Sequence, residues 1–587
     1  MSNNIETIRH SLSHVLAAAV LEMFPEAKLG IGPAIENGFY YDFDLSAVAS
    51  GKGGLPRTLI PEDLPRIENR MRAIIAKDIN FEKSDLDNNL AIQQFNNAGQ
   101  GYKVELIKDL ESAGENNVSI YKTGQFIDLC KGPHLKSTAD LKNVGWKLDK
   151  IAGAYWKGSE KNKMLQRIYG LAFENKEELD KYLEQMVEAE KRDHRKLGAE
   201  LDLFSFHEEG PGFAFWHNKG WAVFQNILNY WRQVHQREGY EEVNTPIMAL
   251  KGVWGQSGHM KNYGEKMYLA KTPDEKEFSY AVKPMNCIGG MLIYKTKVHS
   301  YKDLPIRSGE IGLVHRYESS GEVHGLMRVR QFTQDDAHIY CQPDQVKDEI
   351  LKIFKLCSEI YEKFDLEIDH IELSTRPEKS IGSDDVWQRA EKTMKEILSE
   401  NNIEHKINEG DGAFYGPKFD FHLKDAIGRT WQCGTIQLDF AQPENFDLNY
   451  IDEKGQKQRP VMIHRVIYGS IERFYGIILE NYAGAFPAWL APVQAIVLPI
   501  SDKHLDYAKK VSAELKNSDV RVEIDERSES IGKKIREAEM QKIPYMLIVG
   551  DKEMNPPAGG IKVAVRQYGQ GDKGQLDIEG LIKDIQS

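Results

Sequence analysis

Hydrophobic positions change their spacing several times along the chain, and each spacing predicts a different element. The segment IETIRHSLSHVLAAAVLEM is rich in apolar residues and predicts a helix from Ile5 to Met23. Pro25, just beyond it, is expected to end the helix. Glycines then interrupt the chain before FYYDFDL, which predicts a strand. A second helix is expected over residues 62–78, and residues 79–170 are expected to mix short strands with loops.

Changes in composition and in the spacing of apolar residues also divide the chain into domains. The charged segment from Asn175 to Lys196 keeps apolar residues at helical spacing and predicts a helical connector. From Leu201 to Phe486 the chain is rich in aromatic residues, glycines and long strand-like segments. We therefore expect three domains and a linker, at residues 1–173, 174–200 (the linker), 201–490 and 491–587.

The last domain has an alternating pattern of its own. Pro487 and Pro492 interrupt the chain before it begins. Strands are expected at 493–499, 520–524, 545–549 and 561–566, and helices at 502–516 and 531–541. Strands that alternate with helices are typical of a small α/β domain, here with a largely parallel sheet.

Composition narrows the class of protein. The chain has 587 residues, which is too long for one core and suits about three or four domains. A net charge of −13 argues against a surface coated for nucleic acid, although it allows local basic patches. The chain shows neither an apolar stretch of about 18 residues nor a signal-peptide pattern. Five scattered cysteines suit reduced thiols, so we expect a cytoplasmic protein without a membrane partner.

Residues 310–340, EIGLVHRYESSGEVHGLMRVRQFTQDDAHIY, combine two strand-like segments with a long polar loop. Arg316 and Glu318 are expected on the first strand and Arg328 on the second. The second strand also carries Gln334, Asp336 and His338. Facing arginines can clamp an anion, since each guanidinium binds two oxygens, and a carboxylate two residues away shares the face. This combination suits a nucleotide, and the alternative is a salt-bridged hairpin face.

A first group of metal-ligating side chains lies near the N-terminus. His10 and His14 are four residues apart on the predicted helix, so they share one face. The segment DLCKGPH adds Cys130 and His134 beside Asp128. Such a set could bind zinc, or it could form a hydrolytic pocket in which imidazoles orient water. Taken singly, the histidines suit a helix surface and Cys130 suits an ordinary turn.

A second group combines one thiol with two imidazoles. Cys287 follows a predicted strand, His338 ends the second hairpin strand, and His464 lies in VMIHRVIYGS. One cysteine and two histidines make a three-ligand zinc set that leaves a fourth position for substrate. The residues are far apart in sequence, and spacing alone would equally suit buried structural residues.

With these motifs the chain resembles the threonyl-tRNA synthetases, a family of class II aminoacyl-tRNA synthetases. EEVNTPIM with Pro246 resembles class II motif 1, the hairpin resembles motif 2, and GSIERF with Arg473 resembles motif 3. GAFYGPKFDF and WQCGTIQLDF match signatures of the threonine enzymes. HSLSH with DLCKGPH resembles the editing domain shared with alanyl-tRNA synthetases. IGKKIREAEMQKIPYMLIVGDKE resembles the anticodon-binding domain.

The resemblance implies a fold and a set of partners. It implies an α+β multidomain chain with an N-terminal α+β editing domain, an antiparallel-sheet class II catalytic core and a C-terminal α/β anticodon-binding domain. The expected partners are threonine, ATP with Mg²⁺, and tRNA(Thr). One Zn²⁺ per chain is expected in the catalytic domain. Motif 1 implies a homodimer.

It also implies roles for individual residues. The catalytic residues would be Arg316 at the α-phosphate of ATP, Glu318 at the adenine amine, and Arg328 and Arg473 at the outer phosphates. The substrate and nucleotide pockets would be lined by Gln334, Asp336, Tyr415, Lys418, Gln432 and Gln437. Zinc would bind to Cys287, His338 and His464. The editing site would contain His10, His14, Lys103, Asp128, Cys130 and His134. The anticodon would be read by Arg536, Lys542, Glu553 and Arg566.

The chain departs from the family pattern at a few positions. Ile288, Gly289 and Gly290 follow Cys287, where the family has Pro-Gly-His. Ser528 and Lys542 stand where Asn and Arg are common. The editing motif begins at His10, so the N-terminal ubiquitin-like domain of many relatives is expected to be absent.

The two clusters answer two different selection problems. A site that binds the threonine hydroxyl can reject valine by about 10⁴–10⁵-fold, whereas serine lacks only one methyl, worth about 1–3 kcal/mol. Serine is therefore expected to pass the first site, and a hydrolytic second site becomes necessary.

The alternative hypotheses for the function are a non-catalytic RNA-binding paralogue, a free-standing deacylase and a class IIa synthetase for another amino acid. The presence of Arg316, Arg328 and Arg473 argues against a non-catalytic paralogue. The Cys-His-His zinc set argues against a synthetase for another amino acid.

Overall fold

The computed structural model describes residues 4–48, 57–555 and 560–586. The chain forms two compact units, Met1–Val187 and Glu188–Ser587. Within the described residues, none of the helices is long and apolar enough to cross a membrane.

The first unit is an α+β assembly. Its elements in chain order are α1 (Ile5–Met23), β1 (Lys28–Leu29), β2 (Ala34–Ile35), β3 (Gly38–Asp44), α2 (Leu64–Ala76), β4 (Phe81–Asp87), α3 (Asn88–Asn97), α4 (Gly101–Ser112), β5 (Asn117–Thr123), β6 (Phe126–Leu129), β7 (Gly145–Tyr155), β8 (Met164–Phe173) and α5 (Lys176–Arg192), which runs across the boundary. β1, β3, β8 and β7 form one antiparallel sheet, with β2 paired to β3, and β4, β5 and β6 form another.

Helix α1 is the centre of the first unit's core. It begins after Asn4, whose side chain accepts a hydrogen bond of 3.1 Å from the Glu6 N–H. Residues from Ser11 to Val20 are all buried, which explains why this helix is apolar on nearly every side. The bounds predicted for α1 are confirmed. The expectation of short strands and loops over 79–170 was wrong, because β7 and β8 are long and α3 and α4 are helices.

The second unit begins with the remainder of α5 and continues with a large mixed region. Its elements are α6 (His194–Glu200), β9 (Phe204–Ser205), β10 (Phe215–Trp216), α7 (Asn218–Arg237), β11 (Glu241–Glu242), β12 (Met248–Leu250), α8 (Lys251–Gln256), α9 (His259–Tyr263), β13 (Leu269–Ala270), β14 (Tyr280–Val282), α10 (Cys287–Tyr294), β15 (His299–Ser300), β16 (Ile306–His315), β17 (Gln331–Cys341), α11 (Val346–Lys363), β18 (Glu367–Ser374), α12 (Asp384–Glu400), β19 (Lys406–Asn408), β20 (Lys418–Lys424), β21 (Thr430–Asp439), α13 (Gln442–Asn445), β22 (Tyr450–Ile451), β23 (Lys457–Gln458), β24 (Val461–Val466) and α14 (Ile471–Asn481).

An eight-stranded sheet organises this region, in the order β11-β16-β17-β24-β21-β20-β18-β19. All its pairs are antiparallel except the two at its edges, β11 with β16 and β18 with β19. Phe419, Phe421 and Leu423 of β20 are fully buried in the core, whereas the alternate residues face the other side. The register places His338, His464 and Gln437 in one row across β17, β24 and β21.

The motif 2 hairpin differs from the prediction in its bounds. β16 ends at His315 and β17 begins at Gln331, so the strand assignment of Arg316, Glu318 and Arg328 was wrong. These residues lie in the connecting loop, where the Arg316 N–H still donates to the carbonyl of Arg330 at 2.9 Å. The loop rather than the strands therefore presents the charged side chains.

The last region contains β25 (Ala495–Pro499), α15 (Leu505–Asn517), β26 (Val522–Ile524), α16 (Ile531–Met540), β27 (Tyr545–Val549), α17 (Asp551–Met554), β28 (Lys562–Gln567), β29 (Gly571–Asp577) and α18 (Ile578–Gln586). β26, β25 and β27 are parallel, whereas β28 and β29 continue the sheet antiparallel. The prediction of a largely parallel sheet was therefore wrong for its second half. β29 and α18 were not predicted.

Candidate functional site

A cavity of about 390 Å³ opens on the polar face of the eight-stranded sheet. Eight residues with predicted roles line it, namely Cys287, Arg316, Gln334, Asp336, His338, Tyr415, Gln437 and His464. The strand register explains this convergence, because alternate residues of neighbouring strands project from the same face. Residues from six separate segments of the sequence thus meet in one pocket.

The predicted zinc ligands lie together at one wall of this cavity. The rings of His338 and His464 are 4.9 Å apart, and Cys287 begins α10 opposite them. His464 Nε2 lies 2.9 Å from Asp439 Oδ2, so this nitrogen donates to the carboxylate and Nδ1 keeps its lone pair. A carboxylate partner of this kind is usual for metal-binding histidines. The donor set therefore fits zinc, although the three ligand atoms do not all lie within 4.8 Å of one another.

Burial controls the protonation of these groups. It raises the pKa of the Cys287 thiol, and it lowers the pKa of His338, with His464 adding to the effect. Gly290 follows Cys287 by three residues, and a Cβ there would lie only 3.3 Å from the Tyr340 hydroxyl and 3.5 Å from His338 Nδ1. At Gly290, where the family has His, a side chain would therefore press on the Tyr340 hydroxyl beside His338.

Asp336 is the buried anion of the cavity. Burial raises its pKa, and His464 is the largest opposing influence. Asn286 Nδ2 donates to Asp336 Oδ2 at 3.2 Å, and the same nitrogen lies 3.5 Å from Gln334 Oε1. Asn286 was not predicted, but it holds both polar side chains in the pocket.

The charged groups of the motif 2 loop partly satisfy one another. Arg316 lines the cavity, and its Nε donates to the Pro284 carbonyl at 3.1 Å. Glu318 accepts from Arg328 Nη2 at 2.9 Å and from Lys266 Nζ at 3.1 Å. The structure therefore brings Glu318 and Arg328 together as a pair at the side of the loop. The predicted alternative of a salt-bridged face holds for this pair but not for Arg316.

The motif 3 helix is tied to the hairpin through buried carboxylates. Asp335 accepts hydrogen bonds of 2.9 Å from the N–H groups of Ile467 and Gly469, just before α14. Glu472 accepts from the Thr333 N–H at 2.8 Å. Arg473 follows, and its Nε is buried without a protein hydrogen-bond partner in the described residues. An unpartnered guanidinium nitrogen suits a residue that receives an anionic ligand.

Lys418 and Gln432 converge on a carboxylate that was not predicted. Asp420 Oδ2 accepts from Lys418 Nζ at 2.6 Å, and Asp420 Oδ1 accepts from Gln432 Nε2 at 2.7 Å. These residues lie on the same sheet face as the cavity. Tyr415 instead donates to Gln437 Oε1 within the cavity and packs 4.8 Å from the His464 ring.

The N-terminal cluster is more compact than the zinc set. The ligand atoms of His10, His14, Cys130 and His134 all lie within 4.8 Å of one another. Cys130 Sγ is 3.2 Å from His10 Nε2 and 3.3 Å from His134 Nε2. Gly132 makes this turn possible, because its φ of +75° is unfavourable for other residues and a Cβ would lie 2.3 Å from the Tyr121 hydroxyl.

Hydrogen bonds define the tautomer of His134. The Ser11 hydroxyl donates to the Thr7 carbonyl at 2.8 Å, so its oxygen can only accept from His134 Nδ1, 3.2 Å away. His134 Nε2 therefore carries the lone pair that faces Cys130. Ser11, which was not predicted as a site residue, lies between the two histidines of HSLSH.

A buried ion pair completes the cluster. Lys103 Nζ lies 2.5 Å from Asp128 Oδ1, and His14 Nε2 lies 3.5 Å from Asp128 Oδ2. Tyr41, which was not predicted, donates to Asp128 Oδ2 at 2.6 Å. The structure thus brings all six predicted editing residues together.

Burial favours the neutral forms of the three histidines and Cys130. It lowers the pKa of His10, His14 and His134, and it raises the pKa of Cys130 to about 11. Neutral imidazoles with free lone pairs can accept a proton from water, whereas a protonated thiol is a poor nucleophile.

The four predicted anticodon residues occupy separate elements. Arg536 is exposed on α16, and Arg566 on β28 donates to Glu539 Oε1 of α16 at 3.1 Å. Glu553 is buried and accepts from the Gly550 N–H at 3.0 Å. Lys542 donates to the Ala483 carbonyl. Only the first two therefore share a surface around α16.

Comparison with known proteins gives three matches to family models. Residues 268–482 match the tRNA synthetase class II core domain (G, H, P, S and T), and residues 494–587 match an anticodon binding domain. Residues 118–169 match the threonyl and alanyl tRNA synthetase second additional domain.

Whole-chain relatives and a solved structure agree with these matches. A threonine–tRNA ligase from Desulforamulus reducens is 55% identical over 98% of this chain and 88% of that protein. One from Carboxydothermus hydrogenoformans is 54% identical over 99% of this chain and 88% of that protein. The crystal structure of the RNA binding domain of threonyl-tRNA synthetase from Cryptosporidium parvum Iowa II is 39% identical, with a TM-score of 0.64, over 67% of this chain and 98% of that one.

Proposed function

The chain belongs to the threonine–tRNA ligases, a family of class II aminoacyl-tRNA synthetases, and we propose that its two polar sites divide the selection of threonine between them. The cavity on the large sheet forms threonyl-adenylate from ATP and threonine and then transfers threonine to tRNA(Thr). The N-terminal cluster hydrolyses seryl-tRNA(Thr). The second additional domain and the anticodon binding domain both support tRNA as the second substrate.

The adenylation cavity provides groups for both reactants. Arg316 binds the α-phosphate of ATP, and Arg328 and Arg473 neutralise the outer phosphates as charge develops there. Glu318 exchanges its pairing with Arg328 for the adenine amine. Mg²⁺ accompanies ATP. The unpartnered Arg473 Nε supports this assignment.

The amino acid occupies the deeper half of the cavity. Asp336 accepts from the threonine ammonium or hydroxyl, and the Asn286 contact holds it in place. Gln334, Tyr415 and Gln437 line the same pocket. Lys418 and Gln432, held by Asp420, lie beside it on the sheet and complete the substrate and nucleotide sites.

Cys287, His338 and His464 would hold one Zn²⁺ in this cavity. The thiol with two imidazoles is a common zinc donor set, and Asp439 orients His464 so that Nδ1 is free to bind. When bound, the ion supplies a coordination position for the threonine hydroxyl. Valine lacks that hydroxyl and would leave the site unsatisfied, which is worth about 10⁴–10⁵ in discrimination.

The N-terminal cluster clears the error that the first site allows. Serine keeps the hydroxyl and loses one methyl, so the first site discriminates by only about 10–200-fold. We propose that the editing cluster works without a metal, with water oriented by its neutral histidines and the ester positioned by Lys103 and Asp128. His134 Nε2, 3.3 Å from the Cys130 thiol, presents the lone pair that a general base needs.

The remaining assignments follow the family. The editing domain spans residues 1–173, a helical linker spans 174–200, the catalytic domain spans 201–490 and the anticodon-binding domain spans 491–587. Arg536, Lys542, Glu553 and Arg566 contact the anticodon. The enzyme is a cytoplasmic homodimer.

One observation supports the assignment of adenylation and editing to separate sites: the two clusters lie in different compact units, and each contains its own set of polar side chains. Replacement of one cysteine in each cluster tests it. Cys287→Ala is expected to abolish threonine-dependent ATP–pyrophosphate exchange. Cys130→Ala is expected to leave that exchange unchanged and to slow clearance of seryl-tRNA(Thr).

The buried Cys357 provides a matched control, since Cys357→Ala removes a thiol from the core without touching either cluster. It should retain both activities. Retained exchange in Cys287→Ala, or normal seryl-tRNA clearance in Cys130→Ala, would contradict the proposal.

The metal content separates the two clusters further. Mass spectrometry of the full-length chain should show zinc that is lost on Cys287→Ala and retained on His10→Ala. A loss of one equivalent on His10→Ala would show that the editing cluster is a zinc site instead.

A further inference from the structure

A third group of possible ligands lies on the large sheet, outside the adenylation cavity and the editing cluster. We propose that His370, Glu372 and His422 form a binding site for a divalent transition-metal ion such as Zn²⁺. His370 and Glu372 lie on β18 and His422 on the neighbouring β20. Their ligand atoms all lie within 4.8 Å of one another.

The strand register creates this group. His370 is the direct cross-strand partner of His422, and Glu372 follows two residues later on the same face. The imidazole rings stack with centroids 4.3 Å apart and planes 9° from parallel. The two Nε2 atoms therefore lie in nearly parallel planes, and a rotation of one ring would bring both lone pairs onto a single ion.

The distances suit a four-coordinate ion. His370 Nε2 lies 3.4 Å from Glu372 Oε1, and His422 Nε2 lies 3.5 Å from Glu372 Oε2. Metal–ligand bonds of about 2.0–2.1 Å in a tetrahedral site imply about 3.3–3.4 Å between ligand atoms. Two imidazoles and one carboxylate also leave a fourth position for water, as in three-ligand zinc sites.

Hydrogen bonds outside the group orient its ligands. Asp369 Oδ2 lies 2.6 Å from His370 Nδ1, so Nδ1–H donates to it, and Nε2 is the nitrogen that would bind an ion in place of its 3.4 Å contact with Glu372 Oε1. Asn408 Nδ2 donates to Glu372 Oε2 at 2.9 Å. Metal-binding histidines and carboxylates are held by partners of this kind.

The group has an unmet electrostatic need. His370 Nε2 has only a long contact of 3.4 Å with Glu372 Oε1, and His422 Nε2 is buried without a hydrogen-bond partner in the described residues. A cation between the three groups would satisfy both nitrogens and the carboxylate together. The side chains are each 18–20% exposed, so an ion can reach them from solvent.

A second carboxylate–histidine group in the same unit shows why free lone pairs matter. His194 Nδ1 lies 2.7 Å from Glu480 Oε1, and His194 Nε2 accepts from the Leu326 N–H at 3.0 Å. Both ring nitrogens are occupied, so this group, which includes Asp193, is a structural contact. His422 Nε2 lacks such an internal partner, and His370 Nε2 has only the 3.4 Å contact with Glu372 Oε1.

The position gives the ion a role in the sheet. Glu372 is the cross-strand partner of Asp420, which holds Lys418 and Gln432 at the substrate side. An ion that joins β18 to β20 would hold these strands together next to Asp420. It would be a stabilising ion, separate from the zinc assigned to Cys287.

Zinc binding to the full-length chain tests the site. Equilibrium dialysis against Zn²⁺ alone, with metal content read by mass spectrometry, compares the unsubstituted chain with His370→Gln/His422→Gln. The double variant is expected to bind one equivalent less. His405→Gln is the matched control, because this exposed histidine lies outside the group, and it should bind as the unsubstituted chain does.

Two milder variants protect the test against misfolding. Glu372→Gln keeps an acceptor for Asn408 but loses the anionic ligand, and it is expected to lose the same equivalent. Asp369→Asn weakens only the orientation of His370 and should reduce affinity by about 10–100-fold. Equal zinc content and affinity in the unsubstituted chain, the double variant and Glu372→Gln would overturn the proposal.

Discussion

At the scale of single residues, burial and one hydrogen bond each decide what the histidines can do. Burial keeps His134 neutral, and Ser11 assigns its proton to Nδ1, so Nε2 faces the pocket as a base. In the adenylation cavity, Asp439 accepts a hydrogen bond from His464 Nε2, so His464 Nδ1 keeps its lone pair. In the function that we propose, the same residue type thus serves hydrolysis in one unit and amino-acid selection in the other, because its second nitrogen meets a different partner.

The lowered pKa values of His10, His14 and His134 predict an unusual pH profile for editing. A histidine base with an ordinary pKa of about 6.5 would lose about fourfold of its neutral form between pH 7.5 and pH 6. Because burial lowers the pKa of each of these histidines, more of the neutral form persists as the pH falls. Seryl-tRNA(Thr) clearance, corrected for uncatalysed hydrolysis, should stay nearly constant over this interval, and a fourfold fall would argue against neutral buried histidines.

Residues close together in sequence could be paired from their spacing alone, whereas the remote set of Cys287, His338 and His464 was predicted through the family resemblance. His10 with His14 and Cys130 with His134 are each four apart, so a helix face and a tight turn suffice to pair them. Asn286, Asp420 and Asp439 were missed, because their roles depend on the register of strands that are remote in sequence. Such carboxylates and amides have no local signature.

At the scale of elements, hydrogen bonds in both directions hold the hairpin and the motif 3 helix together. Asp335 on β17 accepts from the backbone before α14, and Glu472 on α14 accepts from the backbone of β17. The guanidinium of Arg465 is buried beside Asp335, with 4.0 Å between Arg465 Nη1 and Asp335 Oδ2. Reciprocal buried contacts therefore hold α14, which carries Arg473, to β17, which follows the loop that carries Arg316.

Asp335→Ala is expected to destabilise the contact between β17 and α14. It would leave the N–H groups of Ile467 and Gly469 without an acceptor and Arg465 without its buried counter-ion, at a cost of about 3–5 kcal/mol. Thermal unfolding of the full-length chain should shift to lower temperature, with weaker ATP binding. The exposed Glu241→Ala on β11 is the control, and an equal shift in both variants would contradict the role of Asp335.

Element type was easier to predict than element bounds. The apolar run of α1 gave its bounds because nearly all of the helix is buried. The hairpin strands were predicted too long, since the polar loop keeps a backbone contact between Arg316 and Arg330 but no strand geometry. β29, with the sequence GDKGQLD, was missed because Leu576 is its only large apolar residue.

At the scale of the whole molecule, an exposed apolar segment supports self-association. Ile247, Met248 and Leu250 follow Pro246 of motif 1, and their side chains are 42%, 52% and 58% exposed. Exposed apolar residues that are consecutive in a chain commonly mark a protein interface. This agrees with the homodimer that we propose.

Met248→Lys/Leu250→Lys should therefore break the dimer. The unsubstituted chain is expected to have a solution mass of about twice its 67.0 kDa by light scattering, whereas the double variant should approach a single chain. Met540, 67% exposed on α16, provides the control, and Met540→Lys should remain dimeric. An unsubstituted chain that is monomeric would contradict the assignment.

Selection of the amino acid is the most direct test of the account. ATP–pyrophosphate exchange should be measured with threonine, serine and valine, for the unsubstituted chain and for Cys287→Ala. We expect strong exchange with threonine, about 10–200-fold weaker exchange with serine, about 10⁴–10⁵-fold weaker exchange with valine, and none in the variant. Exchange with valine comparable to that with threonine, or full threonine exchange in Cys287→Ala, would contradict a cavity that selects threonine through its hydroxyl.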